Sequence, residues 1–277
     1  MDSRELRYFV AVAEELNFGR AATRLGIAQP PLSRTIQQLE RRMGVTLLTR
    51  TSRQVSLTEA GEILLYEGRK ALAALTAAEH RARRAGNARL VLAMKPNSDG
   101  GLIEKILASF TGEVDLRICC VGEQAILLRE GHADAALLRF PYDDVESFAY
   151  EELLTEPSVA VLPRTHRLAD RPSLTMSDLA DEQLPRWPGK PPNGGPLVQD
   201  SGQLMQLIAL GRTIAVLPAS TEQHLRADLT CVPVTDSPLS TLAIAWPENA
   251  RSRPLAALVQ AAMACAVRPA ESRLATR

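Results

Sequence analysis

The sequence is short of cysteine, histidine and long apolar runs, and each shortage excludes a class of protein. Its 277 residues include four cysteines without zinc-site spacing, so we expect reduced thiols in a cytoplasmic chain. The four histidines are scattered without metal-ligand pairing, and no metal or other cofactor is expected. No apolar run approaches bilayer length and no secretory leader is visible, so no membrane partner is expected.

The sequence also lacks a recognisable catalytic set. It contains no paired-carboxylate or metal constellation, and neither Ser33 nor Ser98 has a histidine nearby in the sequence. The adjacent Cys119 and Cys120 lie in an apolar, strand-like run and are predicted to be buried, with a redox-sensing pair as the alternative. We therefore expect a protein that is not an enzyme.

Lysine is scarce as well, and arginine supplies nearly all of the positive charge. The 32 basic residues of the whole chain balance 32 acidic ones, yet residues 20–53 contain seven arginines and a single acid, Glu40. A cluster of this kind is typical of phosphate binding, which whole-chain charge would hide. The alternative is that arginine is simply the common base of this chain.

Residues 18–43 have the apolar spacing of two short helices joined by a tight turn. Gly26 lies at the bend, where a residue free to adopt positive φ is useful, and Pro30 and Pro31 suit the first turn of the following helix. This helix exposes side chains that can bond base edges and phosphates in a major groove: Gln29, Ser33, Arg34, Gln37 and Arg41. The pattern predicts a helix-turn-helix that binds double-stranded DNA.

A β-hairpin wing and a long helix are predicted to follow. Arg50 and Arg53 flank the hairpin tip and are placed to contact phosphate or a minor groove, and Thr58 can cap a helix that runs to about Arg84. An apolar stripe on this helix needs a cover, and a second copy of the chain is the simplest one, with packing on its own chain as the alternative. The stripe consists of Leu64, Ala71, Leu72, Leu75, Ala78 and Ala82.

From residue 89 onward, strand and helix patterns alternate, which predicts βαβ units and a parallel sheet. A second block begins near Ser158, so two similar α/β subdomains are expected, with a small ligand bound outside the carboxyl ends of the strands. In the segment LPRWPGKPPNGGP, residues 184–196, proline and glycine exclude a helix.

Taken together, these residues resemble LysR-type transcriptional regulators. The match covers essentially the whole chain and is strongest over residues 6–61, with the motifs LRYFVAVAEELNFGRAATRLGIAQPPLSRTIQQLERRMGVTLLTR and LTEAG. It is looser in LIEKILASF, GHADAALLR, VAVLPRTHRLA and LIALGRTIAVLP. The resemblance implies an α/β chain in which a winged helix-turn-helix and a linker helix precede a periplasmic-binding-protein-like effector domain. It also implies a homotetramer that controls transcription through a small effector, with RNA polymerase as a further partner.

The resemblance divides the chain into consecutive parts. These are a winged helix-turn-helix of residues 1–58, a linker and dimerisation helix of 59–87, an effector-binding domain of 88–268 and a tail of 269–277. Within the effector domain, lobe I comprises about 88–160 and 240–268, and lobe II, which is expected to be trimmed, about 161–239.

Site residues follow from the resemblance together with the arginine pattern. DNA contacts are assigned to Arg20, Gln29, Pro30, Pro31, Ser33, Arg34, Gln37, Arg41, Arg50 and Arg53. Effector contacts are assigned to Lys95, Asn97, Ser98, Gly122, Leu138, Arg139, Phe140, Gln199, Asp200 and Ser201.

Two departures from the family pattern bear on function. Ala28 stands where the family usually offers a Ser or Thr cap, so the reading helix is expected to begin about 1 kcal/mol less stable. The loop at 184–196 replaces an expected helix and reduces the share of lobe II in a pocket. Two alternatives stay open: a DNA-binding regulator without effector response, and a bilobed binding protein or enzyme with the first helices as decoration.

Overall fold

The computed structural model describes residues 1–50, 55–83, 89–189, 191 and 193–267. Its elements divide into two compact units. The first contains three helices, a two-stranded hairpin and a long helix, and the second contains two β-sheets with their helices.

The first unit begins with helices α1 (Ser3–Glu15), α2 (Phe18–Leu25) and α3 (Gln29–Met43). Gly26 ends α2 at φ 67°, which confirms the need for a left-handed residue at this bend. The helices bury one apolar cluster whose largest fully buried side chains include Phe9, Leu32, Ile36 and Leu39. The helical spacing of apolar residues in the sequence therefore marks the side of each helix that faces this core.

Strands β1 (Leu48–Arg50) and β2 (Val55–Leu57) pair antiparallel and form the predicted wing. The intervening tip, including the predicted contact Arg53, lies outside the described residues. Helix α4 (Glu59–Arg83) follows, and Thr58 caps it by accepting the Gly61 amide hydrogen at 3.1 Å. Gly61 is required there because an added Cβ would lie 2.1 Å from the Leu47 carbonyl oxygen.

The apolar stripe of α4 has two different environments. Leu64 and Leu72 pack against the core of the first unit, which is the alternative raised from the sequence. Ala71, Leu75 and Ala78 are exposed, with Leu75 at 53%. Only part of the stripe is therefore covered by its own chain.

The second unit contains a five-stranded sheet in the order β4-β3-β5-β10-β6. Its strands are β3 (Leu90–Met94), β4 (Val114–Ile118), β5 (Ala135–Phe140), β6 (Phe148–Glu156) and β10 (Ser240–Pro247). The expected parallel pairing holds for β3 with β4 and β5, but β10 pairs antiparallel with both β5 and β6. The predicted parallel pairing is therefore confirmed for β3, β4 and β5 but does not extend to the rest of the sheet, because β10, which comes late in the sequence, lies between β5 and β6.

A three-stranded sheet, in the order β8-β7-β9, forms the second lobe. Its strands β7 (Ser158–Pro163), β8 (Ala215–Pro218) and β9 (Leu229–Val234) pair antiparallel throughout, so the two lobes are not similar α/β subdomains. Strands β6 and β9 were not predicted from the sequence.

Helices α5 (Ile103–Ser109), α6 (Glu123–Arg129), α7 (Ser201–Ala209) and α8 (Arg253–Ala264) complete the second unit, together with 3-10 helices at Met176–Leu179 and Ala219–His224. Among the described residues of 184–196 no helix forms, as proline and glycine dictate. No helix in the described part of the chain is long and apolar enough to cross a membrane.

Candidate DNA-reading surface and effector cleft

Helix α3 separates its residues into a buried and an exposed face. Leu32, Ile36 and Leu39 are 0% exposed, and Ser33 is half-buried at the edge of the apolar face. The other predicted reading residues of this helix are all exposed: Gln29, Pro30, Pro31, Arg34, Gln37 and Arg41. Together with Gln38 and Arg42, which are also exposed, the helix presents three amides and three guanidiniums on its solvent side.

The beginning of α3 has no side-chain cap. Ala28 is the N-cap residue, in an extended conformation, and no side chain accepts a hydrogen bond from the first turn. Pro30 lies in that turn, where its missing N–H has no helical partner to lose. Because Ala28 has no side-chain acceptor, the backbone amides in the first turn of α3 lack a capping partner at the amino end of this helix.

Most of the described arginines between residues 20 and 50 are paired with acids. Four of the six described arginines between residues 20 and 50 form ion pairs: Arg20 with Glu15, Arg24 with Glu14 and Glu15, Arg42 with Glu5, and Arg50 with Glu40. Arg34 and Arg41 form no ion pair with an acid among the described residues. The seven arginines of residues 20–53 therefore exceed the charge that is free for phosphate, because acids of α1, which precedes this range, pair with three of them.

Arg50 is held inside the first unit. Its Nη2 lies 3.3 Å from Glu40 Oε2, its Nη1 lies 3.4 Å from Ser33 Oγ, and its Cζ lies 4.6 Å from the centre of the Phe18 ring. The side chain is 27% exposed, compared with 66% for Arg20. The guanidinium thus links the wing strand to both helices of the helix-turn-helix.

In the second unit, the cations predicted to contact an effector are already paired. Lys95 Nζ lies 2.6 Å from Asp143 Oδ2, and the same oxygen accepts the Arg139 amide hydrogen at 2.7 Å. The Arg139 guanidinium lies 2.8 Å from Glu156 Oε1, and both side chains are less than one-tenth exposed. Both cations are therefore balanced by carboxylates of the second unit itself.

Arg139 also connects the two lobes. Its guanidinium donates to the Ser98 carbonyl oxygen at 3.0 Å, to Ser240 Oγ at 3.1 Å and to Ser220 Oγ at 3.3 Å. Ser220, which follows β8 in the second lobe, donates its hydroxyl to Glu156 Oε1 at 2.9 Å. Sequence reasoning found Arg139 but missed Glu156, Ser220 and Ser240, since nothing local in the sequence links them to it.

The predicted contacts from the second lobe lie against the first lobe. Ser201 Oγ donates to the Pro96 carbonyl oxygen at 3.4 Å, and the Val121 amide donates to the Gln199 carbonyl oxygen at 3.0 Å. Asp200 instead caps α7 by accepting the Gln203 amide hydrogen at 2.8 Å. Backbone and hydroxyl groups of the lobes therefore meet where the sequence predicted a cleft.

The remaining predicted effector residues differ in accessibility. Asn97, at φ 54°, and Gly122, at φ 86°, are exposed, and the buried Oγ of Ser98 has no hydrogen-bond partner among the described residues. Leu138 is 0% exposed within a core cluster, so its side chain is not presented to a ligand. Phe140 packs against Tyr150 with ring centres 4.8 Å apart.

A carboxylate already lies at the amino end of α5. Asp99 is 6% exposed, and its Oδ2 accepts the Ile103 amide hydrogen at 3.3 Å. An anionic group of a ligand at this helix end would face that negative charge.

The cysteines are free thiols, and all four are half-buried. Burial raises the pKa of the Cys119 thiol to about 11, and burial likewise raises the pKa of Cys231 to about 11. Both thiols are therefore protonated at neutral pH, which disfavours the redox alternative for the first of them. Among the described residues, no group of three or more His, Cys, Asp or Glu could hold a metal ion.

A winged helix-turn-helix with an exposed polar reading helix, accompanied by a unit of two sheets with polar groups between its lobes, defines a DNA-binding regulator with a sensor domain. Family models agree: that of the bacterial regulatory helix-turn-helix proteins of the lysR family matches residues 3–62, and that of the LysR substrate binding domain matches residues 83–266. The chain belongs to the LysR family of transcriptional regulators.

Relatives of similar length support this assignment. The uncharacterized HTH-type transcriptional regulator YnfL of Escherichia coli is 34% identical, over 92% of this chain and 95% of that protein. The HTH-type transcriptional regulator IlvR of Caulobacter vibrioides is 33% identical, over 89% of this chain and 92% of that protein. These names are those of regulators and not of enzymes.

Solved structures share the fold along the whole chain. A full-length BenM carrying one substitution is 27% identical with a TM-score of 0.52, covering 95% of both chains. Full-length CbnR, solved in complex with its target DNA, is 24% identical with a TM-score of 0.52, covering 96% of this chain and 99% of that one. The second similarity concerns the fold alone.

Proposed function

We propose that α3 enters the major groove of duplex DNA, with its amides and Arg34 bonding base edges and Arg41 contacting phosphate. The division of α3 into an apolar face at 0% exposure and a polar exposed face is the observation that carries this proposal. Gln29 and Gln37 suit adenine, and Arg34 suits guanine, because each can form two hydrogen bonds to that base. Arg20 is a further phosphate candidate at the beginning of α2.

The test measures the DNA affinity of variants that each replace one arginine. The probe is a duplex that the full-length protein selects from a random library. Arg41→Gln should reduce the slope of log affinity against log salt by about 0.9, the value for one lost phosphate contact. Arg34→Gln should weaken the selected duplex by about 1–3 kcal/mol and relax one base position. Arg24→Gln is the matched control, because Glu14 already neutralises this arginine. Equal effects at all three positions would contradict the proposal.

We propose that two copies of the chain associate through α4 and that such dimers form a tetramer through the effector domains. Ile63, Tyr66 and Leu75 are exposed on α4, and an open groove of about 280 Å³ lies between α1 and α4. Leu75→Asp should shift the protein toward monomer in sedimentation, whereas Glu62→Gln, which changes an exposed residue of the same helix outside this groove, should not. A wild-type monomer at micromolar concentration would contradict this assembly.

We propose that a small polar effector binds between the lobes and alters DNA affinity or footprint. The unpartnered Ser98 hydroxyl, the exposed Asn97 and the hydroxyl of Ser201 support this assignment. Titration of the DNA complex with pooled uncharged and anionic metabolites should identify a pool that changes binding. Ser98→Ala should weaken the response while leaving ligand-free DNA affinity unchanged. If every pool leaves binding unchanged, the regulator lacks effector response.

We propose that this regulator acts in the cytoplasm, where its DNA lies. A direct contact with RNA polymerase is the finer part of this proposal. Retention of purified RNA polymerase by the DNA-bound protein, compared with the DNA alone, tests that contact.

A further inference from the structure

We infer that Arg50 and Glu40 position the reading helix, and that Arg50 acts through this pairing instead of contacting DNA phosphate. Arg50 ends strand β1, Glu40 and Ser33 belong to α3, and Phe18 begins α2. The Arg50 guanidinium, on the wing strand β1, thus contacts both α2 and α3. This inference rests on the proposed DNA-binding function and deepens it.

The environment of Arg50 holds its charge away from a ligand. The guanidinium lies over the Phe18 ring and between a carboxylate at 3.3 Å and a hydroxyl at 3.4 Å. The side chain is only 27% exposed, so moving it outward to a phosphate would weaken these three contacts, and Glu40 has no other ionic partner among the described residues. An exposed arginine such as Arg41 incurs no comparable loss.

Glu40 fixes the chain between α3 and the wing. Its Oε1 accepts the amide hydrogens of Leu47 and Leu48 at 2.9 and 3.1 Å, while Oε2 faces Arg50. It is the only acid among residues 20–53, and its side chain is 16% exposed. A negative charge beside a polyanion weakens binding by Coulomb repulsion alone, so its contribution to DNA binding is through geometry.

The same contacts orient Ser33, one of the proposed reading residues. Arg50 Nη1 donates to Ser33 Oγ, and this occupies an acceptor position of the hydroxyl. The hydroxyl hydrogen remains available as a donor to a base edge or a phosphate. Arg50 is therefore a positioning residue for Ser33 and for the approach of α3 to the groove.

Salt dependence separates positioning from phosphate contact. The probes are the duplex selected by the wild-type full-length protein and a mixed-sequence duplex of the same length. Arg50→Gln should lower the ratio of selected to mixed-sequence affinity by about tenfold, the scale of one reading contact, with no change in salt slope. Arg41→Gln is the control and should reduce the slope by about 0.9.

Glu40→Gln gives a test of opposite sign. If charge alone matters, removing this acid should strengthen DNA binding. If Glu40 positions the helix, Glu40→Gln should lower the ratio of selected to mixed-sequence affinity. It should also steepen the slope of log affinity against log salt, because Arg50 is released toward phosphate. Arg50→Lys keeps the charge but lacks the planar fork, so it should not restore the ratio. Thermal melting of each variant confirms folding, and if Arg50→Gln does not fold, Glu40→Gln and Arg50→Lys decide the matter.

Two results would overturn the inference. One is a salt slope that falls in Arg50→Gln as it does in Arg41→Gln, with full recovery in Arg50→Lys. The other is tighter binding by Glu40→Gln at an unchanged affinity ratio. Failure of the wild-type protein to select any duplex would instead overturn the DNA-binding function, and the inference with it.

Discussion

Glu5 and Arg42 illustrate how single residues set the properties of the first unit. Arg42 Nη2 lies 2.6 Å from Glu5 Oε2, and the Asp2 amide donates to the same oxygen at 2.9 Å. The hydrogen bond from Arg42, followed by that from Asp2, lowers the pKa of Glu5 from 4.5 to about 2. This pairing joins the beginning of α1 to the end of α3.

A lowered carboxyl pKa stabilises the fold above the unfolded-state value and is lost as the pH falls toward the folded-state value. The melting temperature of wild type should therefore exceed that of Arg42→Gln above pH 4.5, and this difference should shrink as the pH approaches 2. Arg41→Gln, which removes an exposed arginine of the same helix, is the control and should show no such pH dependence. A constant difference from pH 6 to about 2 would contradict the assignment.

Thiol chemistry gives a second prediction for individual residues. With a pKa of about 11, raised from 9.0, Cys119 and Cys231 should react with iodoacetamide about tenfold more slowly in the folded chain than in urea, because the smaller thiolate fraction outweighs the higher nucleophilicity of each thiolate. Peptide mass spectrometry after timed labelling at pH 8 measures both rates. Equal rates for Cys119 in the folded and unfolded chain would revive the redox-sensing interpretation.

Sequence reasoning located individual residues of the site better than it located their partners. Gln29, Arg34 and Gln37 are recognisable because helical periodicity alone separates them from the buried Leu32 and Ile36. The partners of Arg139 were not recognisable, since hydrogen bonds to Ser98, Ser220 and Ser240 span 41, 81 and 101 residues of sequence. Such pairings depend on topology, which a local pattern does not contain.

At the scale of elements, α3 combines a functional face with a weak beginning. Ala28 has φ −74° and ψ 149°, a conformation compatible with a capping serine. Ala28→Ser should therefore raise the free energy of unfolding of the first unit by about 0.5–1 kcal/mol. Urea denaturation of the full-length protein, followed by far-ultraviolet circular dichroism, measures this change.

Asn17 supplies a control of opposite sign. It caps α2 by accepting the Arg20 amide hydrogen at 2.9 Å, so Asn17→Ala should lower the free energy of unfolding by about 1 kcal/mol. If Ala28→Ser has no effect while Asn17→Ala does, the first turn of α3 already has other partners for its amides.

The elements that sequence reasoning predicted are those with a local signal. Thr58 and Gly26 mark real helix boundaries, and the alternation of apolar residues predicted β1 and β2. Strand β6 was missed because FAYEELLTE carries three glutamates and pairs with β10, about 90 residues later in the chain. The antiparallel pairing of β10 with β5 and β6 was missed for the same reason, because both partners lie far from it in the sequence.

At the scale of the whole molecule, charge is balanced in both units by internal pairing. The α1 acids neutralise arginines in the first unit, and Glu156 and Asp143 neutralise Arg139 and Lys95 in the second. Arg34 and Arg41 on α3 are among the exposed arginines of the first unit that remain available for DNA. In the second unit, the groups that remain available for an effector are mainly hydroxyl, amide and backbone groups. The unpaired arginines of the first unit explain why a chain without net charge can still bind a polyanion.

The junction between the lobes provides the final prediction. Glu156 accepts from Arg139 and from both the amide and the hydroxyl of Ser220, so Glu156→Gln leaves the buried guanidinium without a counter-charge. Breaking a buried ion pair in this way should cost about 3–5 kcal/mol of unfolding free energy. Trp187 and Trp246 both lie in the second unit, so tryptophan fluorescence during urea unfolding follows this unit alone.

Glu152→Gln is the matched control, because this residue lies on the same strand but is exposed, and its substitution should change the free energy by less than about 0.5 kcal/mol. Replacing both partners, Arg139→Met with Glu156→Leu, should recover much of the loss, because no buried charge then remains unpaired. If Glu156→Gln lowers the free energy of unfolding no more than Glu152→Gln does, the ion pair does not hold the lobes together. The junction between the lobes would then have to be ordered by effector binding.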